Sequence, residues 1–304
     1  MTAPTIGLQL MVKNEEAAIR GCLESVKGID EMIVLDTGST DKTGEVAREC
    51  GADFREGLYE WKNDFGDART FSMRQCKTDW ILCIDADERL DPGGLEKIRE
   101  AIAAAPLSCG GFQIMKYQGN DQFWCACIFR NRPDIGFNGK IHESPNVLGV
   151  QKLEGVRIQY NPSPNHTIER NLNIIEPELR KDPNNIRMQY CAAREYFIYQ
   201  YFPDAIYWLE RYVRMVLKNK LVWVPELADA YWTLAVCYRK MDELDQAEKC
   251  FLDAIKLNAD FKECFDGLAE IAAKKGNKLN QERWELIAST AQNRELNFKT
   301  KGVF

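Results

Sequence analysis

The chain has no stretch that approaches the roughly 20 consecutive apolar residues needed to cross a bilayer. Its first residues, Met1-Thr2-Ala3-Pro4, carry neither the basic region nor the apolar core of a secretory leader. These two absences predict a cytoplasmic protein with no membrane span. Basic charge is scarce as well. Lys and Arg number 40 against 46 Asp and Glu, a net charge of -6, which argues against the basic surface that nucleic acid requires. Histidine is limited to His142 and His166. No Gly-x-Gly-x-x-Gly follows the first strand and no Gly-x-x-x-x-Gly-Lys-Ser/Thr occurs anywhere, so a glycine-rich loop does not cradle phosphates. The eleven cysteines form no paired spacing framework, their number is odd, and Cys83, Cys237 and Cys250 lie inside apolar runs. Reduced thiols follow. Cys125-Ala-Cys127 has the wrong spacing for a zinc knuckle; on a strand both sulfurs share one face, as packing.

What is present suits two domains: 304 residues, 45% hydrophobic and 28% charged. The first half alternates strands and helices. Ile6 to Val12 reads as a strand, and the following helix buries Ile19, Cys22, Leu23 and Val26 at spacings of three and four before Gly28 stops it. Met32 to Leu35 is a second strand, ending in the turn-rich Asp36-Thr37-Gly38-Ser39-Thr40-Asp41, which caps a helix carrying Val46, Ala47 and Cys50. Ala52 to Arg55 is a third strand, and Phe65 to Cys76 a helix with Ala68, Phe71 and Cys76 inward. Such alternation is the signature of a parallel sheet, whose ligands bind at the carboxyl ends of the strands. Lys13 to Glu16, Asp36 to Asp41 and Asp85 to Glu88 then meet on one edge.

The run Trp80-Ile81-Leu82-Cys83-Ile84 passes straight into Asp85-Ala86-Asp87-Glu88. In an extended chain residues two apart point to the same side, so Asp85 and Asp87 project together beyond the strand end, with Ala86 leaving room between them. Two carboxylates so close favour a cation nearby, and their oxygens suit Mg²⁺ or Mn²⁺ shared with substrate phosphates. The plainer reading is a solvated turn with an acidic cap for the next helix.

Four motifs, in this order, resemble the family-2 glycosyltransferases of the GT-A fold: Lys13-Asn14-Glu15-Glu16; Val34-Leu35-Asp36-Thr37-Gly38-Ser39-Thr40-Asp41-Lys42-Thr43; Trp61-Lys62-Asn63-Asp64-Phe65-Gly66-Asp67-Ala68-Arg69; and Ile84-Asp85-Ala86-Asp87. Phe129-Arg130-Asn131, Phe137 to Glu143 and Arg170-Asn171-Leu172-Asn173 continue the likeness. The same layout is seen in members with C-terminal TPR helices, including peptide S-glycosyltransferases that modify bacteriocins. The resemblance implies a UDP-sugar donor held by Lys13, Asn14, Glu15, Asp36, Ser39, Arg69, Asp85 and Ala86. Within that set Asp36 would accept from the uracil, Asp85 would approach the ribose, and Asp87 would ligate the metal that bridges the diphosphate. Arg69 matches a family arginine near the donor, and Thr70 stands where the family usually has asparagine. Asp36 read by itself is a helix-capping turn residue, and Arg69 an exposed helix charge.

Glu143 stands where inverting members carry a catalytic carboxylate, so the resemblance makes it the base that takes the acceptor's proton. Read without it, Glu143 is a structural acid in a loop. Many GT-A enzymes add a histidine to the metal from the region of Asn161-Pro162-Ser163-Pro164-Asn165-His166, which puts His166 beside Asp87 as a ligand. This chain lacks the His-x-Gly-Tyr of the bacteriocin-type members.

The second half reads as helical. Residues 228–261 match a TPR repeat of about 34 residues: Tyr231, Leu234, Ala235 and Tyr238 in one helix, Ala247, Phe251 and Ala254 in the next. A looser copy precedes it (Ala192, Ala193, Tyr196, then Ala205, Leu209, Tyr212), and a third starts near Phe265, Leu268 and Ala269 and ends around Trp284 and Ile287. Trp223, in the insertion Leu221 to Pro225, and Trp232 are the exposed aromatic candidates, with core packing as the plainer reading of each. The expectation is a GT-A domain, a Rossmann-like mostly parallel sheet flanked by helices, over 1–170, and an all-α TPR-like domain over 171–304. Its implied function is metal-dependent, inverting transfer of a hexose from a nucleotide sugar to a peptide, protein or glycan. The competing readings are a sugar-phosphate nucleotidyltransferase and a TPR scaffold with an inactive transferase domain.

Overall fold

Strand β1, Ile6–Val12, is the centre on which the first half is laid down. Leu8, Leu10 and Val12 alternate along it and are buried. The computed structural model describes residues 3–119, 121–162, 167–220 and 223–291. The elements after β1 are α1 (Ile19–Ser25), β2 (Glu31–Asp36), α2 (Thr43–Glu49), β3 (Asp53–Arg55), α3 (Phe65–Met73) and β4 (Trp80–Cys83). There follow β5 (Glu88–Leu90), α4 (Gly94–Ala104), β6 (Gly111–Gln118), β7 (Asp121–Arg130), β8 (Phe137–Asn138), β9 (Ser144–Pro145) and β10 (Val150–Tyr160). Eight strands make one sheet in the order β3-β2-β1-β4-β7-β6-β10-β5, and β8 pairs with β9.

The pairs β1–β2, β1–β4, β2–β3 and β6–β10 are parallel. β7 runs antiparallel to β4 and β6, and β5 antiparallel to β10. This is the mostly parallel sheet that the strand–helix alternation called for, with helices packed on it. Ile6, Leu8 and Leu10 of β1 join Cys22 and Leu23 of α1, and Ile98 and Ile102 of α4, in the larger core. On the other side Ile33, Ile81 and Cys83 pack with Met73, Cys76 and Phe129. All eleven cysteines are free, eight of them buried.

The chain divides into two compact units between Thr167 and Ile168. The second is helical among its described residues: α5 (Ile168–Lys181), α6 (Ile186–Ile198), α7 (Phe202–Asn219), α8 (Val224–Lys240), α9 (Leu244–Leu257), α10 (Lys262–Lys274) and α11 (Lys278–Thr290). The pairs α6–α7, α8–α9 and α10–α11 are successive hairpins. Ala235, Ala247, Phe251 and Ala254 are fully buried between them, so small residues on facing helices admit close packing. Trp232 takes the plainer of its two readings, core packing, and not the exposed one. It is 4% exposed, lies edge-on to Phe197 at 6.0 Å and stacks on Phe261 at 6.4 Å. Trp223, which precedes α8, is 47% exposed. No described helix is long and apolar enough to cross a membrane.

Candidate active site

The carboxyl ends of β1 and β2 are in register, Val12 opposite Asp36, so the loops that follow them meet at once. The Asn14 N–H donates to Ser39 Oγ at 2.9 Å, and Asn14 Oδ1 accepts from the Thr40 N–H at 2.7 Å. The Glu15 N–H donates to Thr43 Oγ1 at 2.7 Å. Asn14 sits at φ 57, a left-handed conformation that asparagine tolerates better than most side chains. Asp36, 7% exposed, accepts from the Gly38 N–H at 3.2 Å and the Ser39 N–H at 3.1 Å. Its carboxylate therefore shapes the turn, in line with the plainer reading of this residue, and keeps acceptor capacity beyond those bonds. Lys13 is exposed.

β4 lies parallel to β1 on the other side, which puts its carboxyl end on the same edge. It stops at Cys83. Asp85 to Glu88 then forms a tight turn, the Glu88 N–H donating to the Asp85 carbonyl at 3.0 Å. This corrects the expectation of an extended pair projecting together. The turn gives the two carboxylates different surroundings: the Asp85 side chain is 49% exposed, whereas Asp87 is 2% exposed. Ala86 between them is buried. Tyr160, at the end of β10, has its hydroxyl pKa pushed up by burial and then by Asp87, Asp85 and Glu88.

Arg69 ties this turn to the other half of the edge. Its Nη2 donates to Asp85 Oδ1 at 3.0 Å and its Nε to Glu143 Oε1 at 2.7 Å. It also lies 5.3 Å from the centre of the Phe137 ring. Arg69 and Glu143 side chains are 12% and 13% exposed, so Arg69 is not a solvated helix charge. Burial works against the guanidinium's charge, and Asp85 and Glu143 outweigh it, so its pKa lies above the ordinary value.

The loop that carries Glu143 is docked on the start of α3. Asp64 caps that helix by accepting from the Asp67 N–H. The Phe65 N–H donates to the Lys140 carbonyl at 2.9 Å and the Gly66 N–H to the Gly139 carbonyl at 3.2 Å. A Cβ on Gly66 would lie 2.7 Å from that Gly139 oxygen. Thr70 Oγ1 accepts from the Phe137 N–H at 2.8 Å. Thr70, the departure from the family pattern, thus serves as a latch between α3 and β8. His142 adopts φ 49 and turns the chain into Glu143. His166 lies outside the described residues.

One residue here escaped the sequence reading. Lys116 of β6 is 6% exposed, with Nζ 2.7 and 2.6 Å from the two Glu88 oxygens. Burial works against the ammonium, and Cys125 and Glu88 outweigh it, raising its pKa. The signal was available: Phe112, Ile114 and Lys116 occupy one face of a strand whose other members on that face are buried. Cys125 and Cys127 are both near this ammonium, sharing a face as expected. Among the described residues no three His, Cys, Asp or Glu side chains converge closely enough to hold a metal by themselves.

Residues 10–152 match the model of Glycosyl transferase family 2, and residues 228–261 that of a tetratricopeptide repeat. The SPbeta prophage-derived glycosyltransferase SunS of Bacillus subtilis is 30% identical over 68% of this chain and 53% of its own length. A TPR repeat-containing protein of Synechococcus elongatus is 34% identical over 52% of this chain and 40% of its own. The chain therefore spans about half the length of the curated relatives it matches. Glucosyl-3-phosphoglycerate synthase from Mycobacterium tuberculosis, solved with Mn²⁺, uridine diphosphate and phosphoglyceric acid, is 25% identical over 38% of this chain and 44% of its own, with a TM-score of 0.34.

Proposed function

With a family-2 glycosyl transferase domain over residues 10–152 and a tetratricopeptide repeat over 228–261 as premises, we propose that the protein transfers a hexose from a UDP-sugar to an acceptor, with inversion at the anomeric carbon. The observation that carries this reading is the Asp85–Arg69–Glu143 cluster at the carboxyl edge of the sheet. It sets a half-exposed carboxylate, suited to ribose hydroxyls, beside a mostly buried one whose direction is fixed by the guanidinium. Glu143 takes the proton of the acceptor as the acceptor atom bonds to C1. The bond from C1 to the diphosphate oxygen breaks on the opposite face, and UDP leaves with that electron pair. Arg69 fixes the direction of the Glu143 carboxylate. Asp36 and the Asn14 and Ser39 loops face the nucleoside.

A divalent cation fits the donor set at Asp87. One hard carboxylate oxygen, completed by the donor's phosphates and water, is how Mg²⁺ or Mn²⁺ is commonly held. His166 is the further candidate ligand. When bound, the ion would neutralise the charge that develops on the departing diphosphate. The acceptor is a peptide, protein or glycan, and the setting proposed is the cytoplasm.

The test is UDP release from a panel of UDP-sugars with Mn²⁺ or Mg²⁺ and host lysate, followed by mass spectrometry of the products. Glu143→Gln keeps the shape of the side chain and removes the proton acceptor. Transfer should fall by about 10²–10⁴-fold, the usual loss for a missing general base, with donor binding near wild type. Full activity in EDTA would sink the metal. Wild-type transfer by the Gln variant would place the base elsewhere.

A further inference from the structure

We infer that Glu88, Arg89 and Lys116 are positioning residues that set the shape of the Asp85–Asp87 turn before any donor binds. The inference rests on the glycosyltransferase reading for its consequence, although the geometry stands by itself. Glu88 Oε2 does two things at once. It accepts from the Asp85 N–H at 3.1 Å and from Lys116 Nζ at 2.6 Å. Its other oxygen takes a second bond from Lys116 at 2.7 Å. Arg89, the next residue, works from the opposite side: its Nη1 donates to the carbonyls of Ala86 and Glu88, both at 3.0 Å, and its Nη2 to the Ala18 carbonyl at 2.7 Å. Together they engage the Asp85 amide and the Ala86 carbonyl.

Stability alone does not account for the buried pair. Removing two charges from water is so unfavourable that an apolar pair of similar volume serves as well or better. An apolar residue at 88, however, could not accept the Asp85 N–H, and a lone carboxylate there would be a buried charge without its counterion. Orientation of the turn explains both residues. Gly21 of α1 supplies independent support. A Cβ there would lie 2.3 Å from Arg89 Nε, so the helix carries glycine where the guanidinium passes on its way to the turn.

The experiment uses the full chain and three variants: Gly21→Ala, which pushes the flexible end of Arg89 aside without touching the turn; Glu88→Leu/Lys116→Met, which removes both charges together with the acceptor of the Asp85 N–H; and Arg89→Lys, which keeps the charge. Thermal melts establish folding. Calorimetry measures the Kd for UDP-sugar with Mn²⁺, and amide hydrogen exchange reads the Asp85 N–H with no ligand present. For the first two variants, folded protein should show faster exchange at Asp85 and donor binding weakened by about 10–100-fold, the usual loss for an outer partner of a ligand group. Acceptor KM at saturating donor should stay put, and Arg89→Lys should weaken donor binding less than either. Folded variants with wild-type exchange at Asp85 overturn the inference, as does loss of the fold in both, which would make the set a support for the sheet. If the wild-type protein binds no nucleotide sugar, the transferase reading fails, while the exchange measurement still decides whether these residues hold the turn.

Discussion

Arg69 is the residue at which the side proposed to hold the donor and the side proposed to carry the base become one object. Its two hydrogen bonds go to carboxylates that repel each other, one on the β4–β5 turn and one on the loop after β8. A lysine could not replace it, because an ammonium lacks the planar fork that reaches two partners in fixed directions. Arg69→Met leaves Glu143 nearly buried without its cation. We expect a loss of about 3 kcal/mol, the low end for a broken buried pair, since the 49% exposure of Asp85 lets water take over part of the charge. Urea denaturation of wild type and variant checks this. An unchanged stability would mean that water replaces the guanidinium at no cost. Arg69→Lys should recover part of the stability and less of the transfer rate.

At the scale of the element, the legible parts were those governed by periodicity. Ile19, Cys22 and Leu23 announce α1 by their spacing, and the alternation of Leu8, Leu10 and Val12 announces β1. The end of β4 was not legible. Ile84 prolongs the apolar run without prolonging the strand, and only the Glu88 N–H bond to the Asp85 carbonyl reveals the turn. Nor was the docking of the Glu143 loop on α3 legible, because it depends on backbone groups some seventy residues apart, about which a single sequence is silent. Gly66 is its one visible trace. Its backbone approaches Gly139 and Phe137 so closely that a Cβ would meet their carbonyl oxygens at 2.7 and 3.1 Å. Gly66→Ala must push the loop away, since both obstacles are backbone. The expected destabilisation is about 1–3 kcal/mol, as for other overpacked sites. Displacing Glu143 by about an ångström should lower kcat by about 10²-fold, and donor affinity should suffer less. An unchanged kcat in the folded variant would show that Glu143 is not held to its task by α3.

The whole molecule combines a reduced, thiol-rich interior with two units of different composition. Burial pushes the thiols of Cys191 up to about 11 and of Cys76 and Cys237 to about 12, from 9.0. A folded-state value above the unfolded one means that folding favours the protonated thiol. That contribution is intact below pH about 9 and is lost as pH rises towards the folded values, at up to about 1.4 kcal/mol per unit for each thiol. Melting temperature should therefore drop steeply between pH 9 and 11, and a reducing agent should not prevent it; a flat profile would mean that the thiols ionise without unfolding. The division of labour is the remaining question at this scale. The carboxylates proposed to meet the donor and the acceptor proton all precede residue 150, whereas the repeats begin after residue 180. Stacked helical hairpins expose long surfaces suited to extended chains, and we expect the second unit to select the acceptor. Trp223, 47% exposed, is the residue on which to test this, with Trp232 as its control. Trp223→Ala should raise the acceptor's KM and leave slow donor hydrolysis unchanged, because water needs no such surface. Trp232→Ala empties a site packed between Phe197 and Phe261 and should cost about 3–5 kcal/mol, as large core truncations do. If folded Trp223 variants, joined by changes at exposed Tyr201 and Tyr207, all keep wild-type transfer to the natural acceptor, the repeats do not dock it, and a separate partner protein becomes the better account of their surface.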